Sequence, residues 1–281
     1  MTLAVLPSLF DLSGQVAVVT GGAGLLGAQH AEALAEAGAH VVLADLAGDG
    51  ASAVAATLEN KFGRRALGVE TDVADPESVR AMVARAVETF GRLDILINNA
   101  ALTVKGGSDH GRGYFAPFEQ YPKDLWDLAL AVSLTGAFLC AQHAGREMAR
   151  RGRGVMVNVA SIYGVVGPDQ RIYTESRHPL DPAQPLNTPV SYAVAKSGLL
   201  GLTRYLATYW AGQNIRVNAL SPGGVFDAHD DAFVRGYSAR TALGRMAERD
   251  EFKGAIVFLA SAASSYMTGA NLIVDGGWTA W

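Results

Sequence analysis

Between Gln15 and Asp45 the chain runs QVAVVT, GGAGLLG, an alanine-rich stretch from Ala28 to Ala37, Gly38, and HVVLAD. The first and last pieces are short β-branched runs of the kind that form buried parallel strands, and the alanine-rich piece has helical character. Strand, glycine turn, helix and a strand ending in an acid form a dinucleotide-binding fingerprint. Its logic is close approach. Glycines without Cβ atoms let the backbone reach a pyrophosphate, while the first amides of the new helix and its dipole stabilise the negative charge. Asp45 lies 18 positions beyond Gly27, where a carboxylate can accept the hydroxyls of an adenosine ribose and repel a 2′-phosphate. No Arg or Lys lies in the turn or beside Asp45. NAD is therefore expected over NADP.

The alternation continues along the chain. Helical spacing covers Ala51 to Phe62, Ala66 to Glu70 reads as a strand, and Asp75-Pro76 signals the start of a helix through Thr89. Leu93 to Asn98 is the next buried strand, Leu125 to Arg151 one long helix, Gly154 to Ser161 a strand, and Ile215 to Leu220 another. A helix over Asp250 to Ala260 and a strand at NLIVDGG close the chain. Regular alternation without a break in composition predicts an α/β class, with a single doubly wound Rossmann-type domain, a mostly parallel sheet over 14–281 and an N-terminal extension over 1–13. Three stretches interrupt it, near 101–122, 162–190 and 225–247. The first two are too long for plain connectors.

Composition narrows the function classes. The 281 residues carry a formal net charge of -4 without a basic cluster, which points away from nucleic acid and toward a small-molecule ligand. Cys140 is the only cysteine, so no intrachain disulfide or thiolate cage can form, and no metal is expected. With no basic start followed by an apolar core, and no apolar run long enough to span a bilayer, the expected compartment is the cytoplasm.

Tyr192 and Lys196, in SYAVAKSG, are four positions apart in a helical run and share one face. A phenol titrates too high for proton transfer at neutral pH unless a nearby positive charge stabilises its anion, and a lysine one turn away supplies one.

Taken together, TGGAGLLG at Thr20 to Gly27, Asp72-Val73, NNAA at Asn98 to Ala101, the strand ending at Ser161, YAVAK at Tyr192 to Lys196 and SPGG at Ser221 to Gly224 resemble the classical short-chain dehydrogenase/reductases, with some likeness to gluconate 5-dehydrogenase-like members. The resemblance spans residues 15 to 278. It implies that Tyr192 exchanges a proton with a substrate oxygen, that Ser161 hydrogen-bonds the same oxygen, and that Lys196 binds the nicotinamide ribose and lowers the Tyr192 pKa. It also implies that Gly21, Gly24, Leu25, Leu26, Asp45, Leu46, Asp72, Val73, Asn99, Ala100, Ala101, Pro222, Gly223 and Val225 line the dinucleotide, together with Tyr192 and Lys196. Local readings stay open beside these: Asp72 as an approach cap, Pro222-Gly223 as a tight turn. A homotetramer is implied as well, and the apolar tail Trp278 to Trp281 suits a subunit contact.

The sequence departs from the family pattern in four places. Leu25 stands where the motif has glycine, so Gly21, Gly24 and Gly27 follow the spacing of the sugar-nucleotide branch. Ala101 replaces a glycine. Ser133, in AVSLTGAF, takes the place of an asparagine that opens the long helix for a proton relay. Ser161 and Tyr192 are 31 positions apart, with a long insert between them. That insert borders the site because its two ends must converge. Its Asp169, Gln170, Arg171, Tyr173, Glu175, Arg177 and His178, joined by Lys105, Asp109, His110 and Arg112, suit a hydroxylated or anionic ligand; a subunit contact is the other reading. The expected activity is NAD-dependent interconversion of a secondary alcohol and a ketone on a sugar, sugar acid, polyol or sugar-nucleotide. A 3-oxoacyl thioester reductase, a sugar-nucleotide epimerase or dehydratase, and a non-catalytic dinucleotide-binding sensor are the alternatives.

Overall fold

The computed structural model describes residues 5–104, 111–176 and 186–281. Seven strands, β1 Val16–Thr20, β2 His40–Asp45, β3 Ala66–Glu70, β4 Ile95–Asn98, β5 Gly154–Val159, β6 Ile215–Pro222 and β7 Asn271–Val274, form one sheet in the order β3-β2-β1-β4-β5-β6-β7. Every pairing is parallel. Because the order reverses direction between β1 and β4, the crevice at their carboxyl ends is the place where such a fold binds ligands. The helices are α1 Leu6–Leu9, α2 Leu25–Glu36, α3 Gly48–Phe62, α4 Pro76–Phe90, α5 Gly111–Tyr114, α6 Lys123–Leu130, α7 Gly136–Arg151, α8 Val190–Tyr209, α9 Asp231–Ser238 and α10 Lys253–Ala260.

Central strands buried on both faces have no polar side to show, and Val16 to Thr20 is buried at all five positions. One core layer joins alternate residues of β1, β2 and β4 to α4 and α7; the other joins their neighbours to α2 and α10. Asp75 caps α4 as its sequence predicts, accepting from the amides of Glu77 and Ser78. The N-terminal extension is less independent than its sequence suggests. Leu12 is fully buried, and its amide bonds to Ala37 O at 2.9 Å.

The long helix differs from the single element expected at Leu125 to Arg151. A π-turn, Ala131–Thr135, separates α6 from α7 and centres on Ser133. Lys123–Arg151 is also the one helix among the described residues long and apolar enough to cross a membrane, yet Ala129, Ala137, Cys140, Ala144 and Met148 bury one of its faces in the core. The stretch 225–247, irregular in sequence, contains α9, whose N-cap Asp230 accepts from Phe233 N at 2.9 Å.

His30, on α2, is fully buried and neither ring nitrogen has a partner among the described residues. Burial lowers its pKa to about 3. The folded state therefore keeps it neutral while the unfolded chain protonates below about 6.5. Stability tied to this group is complete above that value and is lost as pH falls from there toward 3. Urea unfolding at pH 7 and pH 5 is expected to show a loss of about 2 kcal/mol from this residue, and His30→Leu should lose correspondingly less. Equal losses in the two proteins would refute the assignment.

Candidate active site

The carboxyl ends of the strands gather the residues singled out above. Gly21 leaves β1 at φ 64°, in the left-handed region that favours glycine. Gly24 is the exposed N-cap of α2, and Leu25 and Leu26 form its first turn, whose amides have no carbonyl within the helix. The glycine that matters most for packing is Gly27: a Cβ there would meet Gly21 O at 1.9 Å. Leu25, replacing the family's glycine, is only partly buried at the first helical position.

Asp45 ends β2 and closes the turn, with Oδ2 accepting from Ala23 N at 2.9 Å and Oδ1 from Ala47 N at 3.0 Å. Each oxygen retains acceptor capacity. Leu46 beside it is exposed. Asp72 uses Oδ1 to accept from Ala74 N at 2.9 Å, so it does close a local turn, while Val73 is buried against Gly136. Asn99 ties β4 to β1: its Nδ2 donates to Thr20 O at 2.9 Å and to Gly21 O at 3.2 Å, and Thr20 Oγ1 accepts from the amides of Asn99 and Ala100. Ala101 follows, partly buried. Pro222 is the last residue of β6 rather than part of a free turn; Gly223 N then donates to Val274 O, and Val225 bridges to Ala247. A flat backbone cradle, an open helix start and a carboxylate without a neighbouring cation fit a dinucleotide.

Ser161 follows β5, and α8 carries Tyr192 and Lys196. Ser161 is buried, accepts from Tyr163 N at 3.2 Å, and lies close enough to the Tyr192 phenol to act on its pKa. Burial pushes the Tyr192 pKa up, Ser161 acts against that, and the neighbouring Tyr173 adds to it. Lys196 is buried with Nζ donating to Val159 O at 2.7 Å and lying 5.7 Å from the Tyr192 ring centroid. Burial lowers its pKa to about 8. Ser133, at the π-turn, accepts from Leu102 N at 3.0 Å. A π-turn breaks the regular ladder of a helix and is common at functional sites; here Ser133 spends its hydroxyl on the segment after β4.

The surroundings differ from those expected of the insert. Asp169 pairs with Arg171 and Arg240, and Glu175 with Arg235, so these charges meet one another. The side chains of Lys105, Asp109, His110, Arg112, Arg177 and His178 lie outside the described residues. Tyr192 instead packs in a cluster formed by Ile162, Tyr163, Ile172, Phe233, Tyr237 and Trp278. Trp278 stacks on Tyr237 with centroids 4.4 Å apart and is buried, while Ala280 and Trp281 at the end of the tail are exposed. Tyr237 accepts from Gly224 N, and Tyr121 and Ser191 share a hydrogen bond of 2.7 Å. These aromatic neighbours escape the sequence because they come from separate loops without a common period.

The fold and this site define a dehydrogenase. The family described as short chain dehydrogenase matches residues 15–181, and that described as Enoyl-(Acyl carrier protein) reductase matches 181–279. The chain belongs to the short-chain dehydrogenases, oxidoreductases acting on CH-OH groups. It is 40% identical to a cis-4-hydroxycyclohexanecarboxylate dehydrogenase of Sinomonas cyclohexanicum over 95% of this chain and 97% of the relative. Identity to a D-threitol dehydrogenase of Mycolicibacterium smegmatis is 37%, over 96% and 95%. Among solved structures, a gluconate 5-dehydrogenase from Burkholderia cenocepacia J2315 in complex with NADP and tartrate superposes with a TM-score of 0.85 at 31% identity, over 99% and 100% of the chains.

Proposed function

We propose that this chain interconverts a secondary alcohol and a ketone with NAD, on a polyol or a hydroxylated ring compound. The observation that carries the reading is the gathering of buried Ser161, Tyr192 and the buried Lys196, its Nζ 5.7 Å from the Tyr192 ring centroid, beside the Gly21 to Gly27 cradle. A nicotinamide dinucleotide held by that cradle and Asp45 supplies the hydride acceptor, or the donor in reverse. The chain's own residues manage the oxygen. Ser161 donates to the substrate oxygen and fixes its place, and Tyr192 Oη takes the proton during oxidation and returns it during reduction. Lys196, with a pKa of about 8, stays charged at neutral pH with Nζ 5.7 Å from the Tyr192 ring centroid, one helical turn from the phenol. Ser133 holds the segment after β4 against the widened helix, in place of the family's asparagine.

NAD is favoured by Asp45: its carboxylate stands where a 2′-phosphate would have to approach. Two named relatives act on a cyclic hydroxy acid and on a four-carbon polyol, which supports the substrate range. A homotetramer is the assembly we infer; the exposed, stacked pair Tyr205 and Tyr209 on α8 offers it an apolar surface.

The test is a panel of cyclic alcohols, polyols and sugar acids, followed by the appearance of reduced cofactor with NAD and with NADP. Turnover with a panel member and NAD is expected, and Asp45→Ala should cut the NAD over NADP preference by roughly tenfold, the effect of one repulsion worth about 1.4 kcal/mol. An unaltered preference in that variant would assign cofactor choice to other residues, and an inert protein across the panel would remove the enzyme reading.

A further inference from the structure

The turn after β6 stands where three separate segments meet. Strands β5 and β6 are neighbours, and Ala160 N donates to Leu220 O at 2.7 Å, so Ser161 and Pro222 leave the sheet side by side. A dinucleotide with its phosphates on the Gly21 to Gly27 cradle must extend its reacting end to Ser161, which places that end beside the turn from Pro222 to Val225. Main-chain bonds hold this turn from two sides: Gly223 N donates to Val274 O at 2.8 Å, and Gly224 O accepts from Ala247 N at 2.9 Å. The Gly224 amide is held by a side chain. It donates to the phenol oxygen of Tyr237 on α9, whose ring lies so close that a Cβ on Gly224 would meet it at 2.6 Å.

Tyr237 is fixed from behind in its turn. It is 3% exposed and stacks on Trp278 with ring planes 29° apart. Trp278 meets Tyr163 edge-on with centroids 6.5 Å apart, and Tyr163 N donates to Ser161 Oγ. The indole thus stands between the ring that holds the turn and the ring that follows the serine. The tail that carries Trp278 is anchored as well. Asp275 accepts from the amides of Gly277 and Thr279 at 2.9 and 2.8 Å, and Leu243 N donates to Gly276 O at 3.0 Å. Burial pushes the Tyr237 pKa up to about 12, so at neutral pH the phenol keeps its proton and serves as a hydrogen-bond acceptor and a packing face.

We propose that Tyr237 and Trp278 are positioning residues: Tyr237 holds the Gly224 turn where the nicotinamide must lie, and Trp278 sets the place of that turn relative to Ser161. This rests on the reading of Ser161 and Tyr192 as the reacting centre. A turn already held in place does not have to be ordered when the cofactor binds, so the contact acts by pre-organisation.

The test compares NADH with ADP-ribose, which keeps the adenosine, both phosphates and the second ribose but lacks the nicotinamide. Both are titrated by calorimetry into wild type, Tyr237→Phe, Trp278→Leu and Trp278→Phe. Tyr237→Phe keeps the stacked ring and deletes one oxygen; it should weaken NADH roughly fivefold, the size of one hydrogen bond, and leave ADP-ribose within about twofold of wild type. Trp278→Leu should shift NADH in the same direction, and Trp278→Phe, which restores a stacking face, should recover most of that loss. Equal losses for the two ligands overturn the proposal, because they mark a general defect of the fold, and so does undiminished NADH affinity in Tyr237→Phe. Wild type that binds NADH no more tightly than ADP-ribose removes the turn as a nicotinamide contact, and the proposal with it. Selective loss of NADH in a chain inert toward every alcohol of the panel keeps the positioning role and removes the dehydrogenation reading.

Discussion

Tyr192→Phe should lower kcat for alcohol oxidation by roughly 10³-fold, within the range that a positioned acid or base contributes. The substitution deletes one oxygen and keeps the ring, so packing against Tyr163, Tyr237 and Trp278 survives. What disappears is the proton acceptor that stands beside Ser161. The pH response gives a second readout. In the unliganded chain burial holds the phenol above its ordinary range, while the Lys196 ammonium is lowered to about 8. Oxidation needs the phenolate, so kcat/KM for wild type should rise with pH from neutrality. The residual rate of Tyr192→Phe should lose that rise. Initial rates of cofactor reduction across pH decide the matter: near-normal turnover in the variant would mean that another group takes the proton.

Gly27→Ala is expected to damage both folding and dinucleotide binding. The new Cβ would meet Gly21 O at 1.9 Å, Gly21 C at 2.8 Å and Asn99 Nδ2 at 2.9 Å. Two of these contacts are backbone, so no side chain can swing away, and the turn and α2 must separate. Gly21 O also accepts from Gly24 N at 3.1 Å and from Asn99 Nδ2 at 3.2 Å, so the displacement spreads to β4. Overpacking of this kind costs about 1–3 kcal/mol or more. Affinity for NADH should fall at least roughly tenfold with the loss of the close approach. Gly201→Ala is the control. It lies mid-helix on α8 with open space where the Cβ would go, and there alanine should stabilise by up to about 1 kcal/mol. Urea unfolding and NADH titration test the pair, and a Gly27→Ala protein as stable as wild type with undiminished NADH affinity would contradict the role assigned to the turn.

Much of this was legible in sequence for local reasons. The strand at His40–Asp45 has the ends its apolar run predicts, because a central parallel strand buried on both faces is apolar along its middle, and the half-buried edge strand Ala66–Glu70 matches its run as well. The Asp75 cap is equally local, since the acceptor and the amides it serves are neighbours in the chain. Helix starts were less exact. α2 begins at Leu25, inside the motif, because the glycines that shape the turn do not prevent the following leucines from coiling at once.

The long helix shows the other limit. Its sequence reads as one helix, and the π-turn at Ser133, where the side chain accepts from Leu102 N after β4, is a tertiary feature. Likewise, the charges of the insert read as ligand contacts, whereas Asp169 meets Arg240 from a loop about seventy residues away and is neutralised there. Ion pairs between distant segments leave no mark in either segment.

By itself the sequence determined the parallel architecture, the glycine cradle with its ribose acid, and the pairing of Tyr192 with Lys196 on one helical face, because strand burial, backbone approach and one-turn spacing are local properties. Only the tertiary structure decided what surrounds that pair. Tyr163, Tyr173, Thr188, Tyr237 and Trp278 come from five separate stretches, and strand order and loop packing alone could bring them together around the phenol as an aromatic, hydroxyl-bearing wall.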